Sequence, residues 1–231
     1  MRNANTRQFD ELEIEIVERI SSLANHTTEM VRSVRRYYSK QIARAPPESV
    51  ISLAVRLVDR LDIVFRLVAY ELVLHHTQAP KSLDAKRVER LGKGLDSWGA
   101  VDTFACYIAG PAWRERQVAD KLIHEWARSR DRWWRRAALV STVALNSKVR
   151  GGRGDAVRTL KVCEMLVEDR DDMVVKAMSW ALRELVKRDR AAVRAFLSDH
   201  RKVLAPRVIR EVNNKLRTGL KNPRSEKPLA C

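Results

Sequence analysis

An all-α fold, laid out as a curved α-solenoid of paired helices with a concave basic face, is what this sequence predicts. Three observations predict it. Apolar residues recur at helical spacing almost throughout. Punctuation is sparse: 8 Gly and 7 Pro in 231 residues are too few for the turns that sandwiches and barrels need every dozen residues or fewer. The pattern of one helix start also returns forty residues later, Asp131 to Asp171, and a period of that length marks stacked helical repeats.

Taken in order, Leu12, Ile16, Ile20 and Leu23 form the stripe of an amphipathic helix. Val50, Leu53, Ala54, Leu57 and Val58 form the next clear stripe, after a Pro46-Pro47-Glu48 start that suits a first helical turn. The stretch 61–75 is apolar all round and is expected to be buried. Pro80, Pro111 and Pro206 each open another helical stretch. Breaks are expected near 45–46, 78–82, 92–96, 109–111, 149–155, 189 and 204–206. The result is roughly ten to twelve helices, mostly about 10–18 residues long, and no strand.

The repeat aligns Asp131-Arg-Trp-Trp-Arg-Arg-Ala-Ala-Leu139 with Asp171-Asp-Met-Val-Val-Lys-Ala-Met-Ser179. Each copy has an acidic start, bulky residues in the first turn, a cation (Arg136 or Lys176) and then small residues. A weaker copy runs from Asp62 to Arg66. Such a period is the signature of HEAT-type arrays, whose inner helices line a concave face. Cations at equivalent points of successive inner helices would form a ladder along it.

Charge gives the first functional hint. Lys+Arg number 45 against 29 Asp+Glu, a net charge of +16 and an isoelectric point near 10.3. The excess is spread along the chain, so the folded surface attracts polyanions, nucleic acid foremost. A surface that is basic only for solubility is the plainer reading. The apolar fraction of 45% excludes wholesale disorder. Uncharged runs are no longer than those at 103–113 and 137–147, too short to span a bilayer. The opening twenty residues turn acidic where a secretory signal would be apolar, so a cytoplasmic, nucleoid-associated location is expected. The 3 cysteines, scattered and odd in number, suit a reducing compartment.

No phosphate-binding glycine loop is present, and Gly151-Gly152-Arg153-Gly154 reads as a flexible loop between repeats. His75 and His76 fall on different helix faces. The acids Glu168, Asp169, Asp171 and Asp172 are explained by a helix N-terminus. Neither a metal nor a cofactor is expected. The segment Leu95-Asp-Ser-Trp-Gly-Ala-Val-Asp102 stands apart. With Asp96 or Ser97 as the cap, Trp98 and Asp102 lie one turn apart on one face. An indole attracts a cationic planar ligand by roughly 0.5–2 kcal/mol, and a carboxylate stabilises positive charge that develops during reaction. Trp180 lies one turn beyond Lys176 in the same way. Buried indoles and a solvated Asp102 would account for the same spacing.

Four stretches jointly carry a resemblance: Ser97-Trp-Gly-Ala-Val-Asp102, Trp134-Arg-Arg136-Ala-Ala, Lys176-Ala-Met-Ser-Trp180-Ala-Leu-Arg-Glu184 and Leu204-Ala-Pro206. Over residues 30–217 the chain resembles the AlkD-like DNA alkylation repair glycosylases, which are HEAT-like solenoids. The resemblance implies one such domain over 1–217, with 1–29 matching poorly, and a disordered basic tail over 218–231. It implies excision of positively charged N3- and N7-alkylated purines, such as 3-methyladenine and 7-methylguanine, from double-stranded DNA by a monomer needing no cofactor, leaving an abasic site. By position, Asp102 would be the catalytic carboxylate, with Trp98 and Trp180 against the lesion nucleotide. Arg136, with Arg135, Lys176 and Arg183, would hold the DNA backbone. Gly99 and Ala100 depart from the family, which often carries another aromatic or acidic residue near this segment. A catalytically silent relative that binds distorted or branched DNA is the alternative.

Overall fold

The computed structural model describes residues 2–223, with side chains from residue 8, and every regular element among the described residues is helical. Residues 224–231, most of the expected tail, lie outside the described residues. The chain divides into two compact units, one ending at Leu122 and the other beginning at Ile123.

The first unit holds α1 (Arg2–Ser21), α2 (Thr28–Gln41), α3 (Pro47–Val58), α4 (Ile63–Leu74), α5 (Ala85–Leu91), α6 (Trp98–Phe104) and α7 (Gly110–Arg114). The α3 stripe is sealed as its periodicity predicts: Val50, Leu53, Ala54, Leu57 and Val58 have no exposed surface. Deleting one such leucine side chain costs about 2–5 kcal/mol. Helix α4 packs against α2, α3 and α6, which explains why its sequence is apolar on nearly every side. The α4 residue Glu71 is buried between two arginines of α2, 2.8 Å from Arg32 Nε and 3.0 Å from Arg35 Nε. In α1, Ile16 and Ile20 are buried, and Arg56 of α3 reaches back to Glu13 at 2.8 Å.

Pro111 does not end a helix where the sequence predicts a break. The chain runs from α6 through a π turn, Ala105–Ala109, straight into α7. The Gly110 N–H bonds the Ala105 carbonyl five residues back. The wider turn accommodates a proline ring that would meet the carbonyl four residues earlier and has no N–H to donate.

Helix α8 (Asp120–Ala127) crosses the unit boundary, and α9 (Arg132–Asn146), α10 (Ala156–Met165), α11 (Asp172–Leu185), α12 (Arg190–Asp199) and α13 (Pro206–Thr218) follow. Within this second unit α11 packs against both α9 and α13, with α10 against α9 and α11. The two copies of the repeat are equivalent in cap geometry: Asp131 accepts from Trp133 N at 2.8 Å and Asp171 from Met173 N at 2.9 Å. Asp62 caps α4 likewise, from Val64 N at 2.7 Å. Such caps contribute about 1 kcal/mol each. At the far end of α9, the fully buried Asn146 amide donates to Thr142 O at 3.0 Å and Thr159 Oγ1 at 2.8 Å. Its carbonyl accepts from Asp155 N at 3.0 Å, which fixes the entry to α10.

Candidate functional site

In the first unit the candidate residues stand on α6. Ser97 is its cap, accepting from Ala100 N at 3.4 Å. Trp98 is the first residue of the helix and 62% exposed. Asp102, one turn on, is half-buried, while Ala100, Val101 and Phe104 turn inward. The helix thus has one face in the core, while the other carries the exposed indole and the half-buried carboxylate.

Two features that sequence reasoning missed hold that helix start. Arg66, on α4 and only 1% exposed, donates from Nη2 to the carbonyls of Lys93 (2.8 Å) and Gly94 (2.7 Å), and from Nη1 to the Tyr70 hydroxyl (3.2 Å). Tyr70 in turn donates to Leu91 O at 2.9 Å. One guanidinium therefore closes the C-terminal end of α5, where helix carbonyls present partial negative charge, and pins the turn that leads into Trp98. Burial pushes the Tyr70 phenol up to about 12.

The second feature is apolar. Leu61 and Ile63 are at least half exposed beside the glycines of this segment. Gly94 adopts φ +66°, and a Cβ there would meet Leu61 Cδ2 at 2.8 Å; a Cβ on Gly99 would meet Ile63 Cδ1 at 2.8 Å. Ala100 is buried. The space beside Gly94 and Gly99 is therefore occupied by Leu61 and Ile63, just before and at the start of α4. The weak repeat copy at Asp62–Arg66 was the sequence signal for this region. Nothing in the pattern revealed that Arg66 serves the turn before α6.

The second unit separates its candidate cations into two kinds. Arg136 is 5% exposed, and its Nη1 donates to Met173 O in the first turn of α11 at 2.6 Å. Arg135 is engaged by Asp169 at 2.7 Å and by the carbonyls of Ser129 and Arg130 at 3.1 and 2.8 Å. Arg183 donates from Nε to Ser179 Oγ at 3.2 Å, and burial lowers its pKa. Lys176 differs: 44% exposed, it lies 2.6 Å from Asp172, which also takes Arg207 at 2.8 Å. The Lys176 hydrogen bond holds the Asp172 carboxyl below its usual value. Trp180, one turn beyond Lys176 on α11, is half-buried. Among the described residues no group of His, Cys, Asp and Glu has the arrangement to hold a metal ion.

These features define a basic, all-helical protein in which an exposed indole and a half-buried carboxylate share a braced helix start. The family model for DNA alkylation repair enzymes matches residues 18–216. The chain belongs to that family, and the match takes in part of the N-terminal stretch that had shown little resemblance. Comparisons with curated proteins and with solved structures return no match.

Proposed function

We propose that this protein is a monofunctional DNA glycosylase that releases N3- and N7-alkylated purines from double-stranded DNA. The observation that carries this reading is Trp98, exposed at the start of α6 one turn before Asp102. Packing within this unit covers only the smaller part of that large indole.

Alkylation at N3 or N7 gives the purine a positive charge, so it departs neutral with the electron pair of the N-glycosidic bond, and no general acid is required. The sugar left behind is an oxocarbenium-like cation, which carboxylates stabilise in sugar hydrolysis. Asp102 is proposed to face that cation and orient the water that attacks C1′, giving an abasic site. Trp98 is proposed to pack on the sugar and lesion edge, and Trp180, on the second unit, to contact DNA.

The proposed backbone contacts follow from how each cation is held. An exposed ion pair such as Lys176–Asp172 contributes at most about 1 kcal/mol, so Lys176 exchanges Asp172 for a phosphate at little cost. Arg135 and Arg136 act on DNA mainly by fixing the start of α11, from which Lys176 and Trp180 project. Arg183 adds positive charge beside Ser179. The protein is proposed to work as a monomer, bound to the nucleoid in the cytoplasm.

The test is release of 7-methylguanine from methylated duplex. Asp102→Asn is expected to reduce it at least 100-fold, within the range for loss of one group that stabilises transition-state charge, with duplex affinity kept within twofold. Full release by the variant, or none by the native protein, overturns the reading.

A further inference from the structure

Outside the segments that carry the family motifs, α12 and α13 enclose a groove of about 300 Å³, lined by Arg194, Leu197, Ser198, Arg201, Ile209 and Asn213. Its construction follows from the sequence. Arg190, at the start of α12, donates to the carbonyl of Leu216 near the end of α13, so the two helices run antiparallel. On α12 and the turn after it, Arg194, Leu197, Ser198 and Arg201 fall at i, i+3, i+4 and i+7, one continuous face. On α13, Ile209 and Asn213 stand one turn apart and face them across the groove. Val193, Phe196, Val208 and Val212 of the same two helices are buried.

The lining is chemically distinctive. Arg194, Ser198, Arg201 and Asn213 are all exposed. None of the four uses its side chain in a hydrogen bond or ion pair among the described residues, and no carboxylate lines the groove. Elsewhere in the second unit Arg135, Arg158 and Arg207 each hold a carboxylate. Two guanidiniums, a hydroxyl and an amide supply donors suited to an anion, and guanidinium forks match phosphate oxygens. Leu197 and Ile209 give the floor an apolar strip on which a sugar can rest.

We propose that this groove is a second nucleic-acid site, in which Arg194 and Arg201 hold phosphodiesters of the DNA backbone while Ser198 and Asn213 donate to the same phosphate oxygens. A DNA sugar–phosphate strand is the occupant that fits a chain of net charge +16 in a DNA repair family. An acidic peptide or an anionic membrane would supply the negative charge without the repeated sugar. The inference rests on DNA being the partner and is independent of the glycosylase chemistry.

The experiment measures full-chain binding to an undamaged duplex against salt concentration, for the native protein and Arg194→Ala/Arg201→Ala. The double variant is expected to bind roughly tenfold more weakly at about 0.1 M salt. Its slope of log affinity against log salt is expected to fall by about 1–2, near 0.9 for each phosphate no longer neutralised. The Arg194→Lys/Arg201→Lys variant retains the slope. An unchanged slope in the alanine variant overturns the proposal, as does loss of binding to a poly-glutamate peptide or phosphatidylserine vesicles with duplex binding intact. Should the alanine variant not fold, titration of the native protein with a thymidine dinucleotide decides. Shifts of the Asn213 side-chain amide and Ser198 backbone amide resonances support the site, and shifts confined to other residues exclude it. Release of 7-methylguanine, read in parallel, reports separately on Asp102.

Discussion

Replacing Arg66 by methionine keeps most of the buried volume and deletes three hydrogen bonds, to Lys93 O, Gly94 O and Tyr70 Oη at 2.8, 2.7 and 3.2 Å. Bonds from a charged donor contribute about 1.5–3 kcal/mol each, so the two short carbonyl bonds set a gross loss near 3–6 kcal/mol. Part returns, because the variant no longer desolvates a guanidinium whose three acceptors are all neutral. The expected net destabilisation is about 3 kcal/mol. Since two compact units need not unfold as one, the assay is native-state hydrogen exchange of the α6 amides. Their opening free energy is expected to fall by about 3 kcal/mol. Excision of 7-methylguanine is expected to fall with it, as the turn before Trp98 loses its brace. A decrease under about 1 kcal/mol, or excision unchanged in a variant destabilised in full, refutes the assignment of Arg66 to that turn.

Two further outcomes follow from buried polar groups. The Tyr70 phenol is raised to about 12 by burial, above the ordinary value near 10, so the unfolded chain ionises first and stability is lost as pH rises from about 10 to about 12. The loss amounts to about 2–3 kcal/mol, and the difference between native and Tyr70→Phe proteins in the pH slope of the first unit's urea-unfolding free energy over that window measures it; equal slopes contradict it. Asn146→Leu leaves Asp155 N, Thr142 O and Thr159 Oγ1 without the partners at 3.0, 3.0 and 2.8 Å. It is expected to lower the opening free energy of the α9 and α10 amides in native-state hydrogen exchange by about 3 kcal/mol, and a decrease below about 1 kcal/mol counts against the network.

Much of this architecture was legible because it depends on local chemistry. Asp131, Asp171 and the Asp96-Ser97 pair announce helix starts, since a short polar side chain before an apolar period has one obvious use. The register of Trp98 and Asp102 follows from a cap and a turn length. The π turn at 105–109 was not legible, because a proline after small residues signals a helix start and a widened helix equally well. Nor was the work of Arg66, because its acceptors are carbonyls about thirty residues away, and a backbone carbonyl has no letter in the sequence.

Arginine raises the same difficulty in a form that bears on function. In a pattern, Arg136 and Lys176 occupy equivalent positions, and a ladder of cations treats them alike. In the fold, the Arg136 head is committed to Met173 O while Lys176 stays at the surface against an exposed acid. A buried guanidinium that gave up its carbonyl for a phosphate would leave that carbonyl unsatisfied, at about 1–3 kcal/mol. A surface lysine that left Asp172 would give up a pair contributing at most about 1 kcal/mol. Phosphate therefore selects among cations by what each must abandon. On that scale Arg194 and Arg201, with no acceptor to leave among the described residues, stand ahead of every cation in the family motifs, although nothing in their sequence context marks them out.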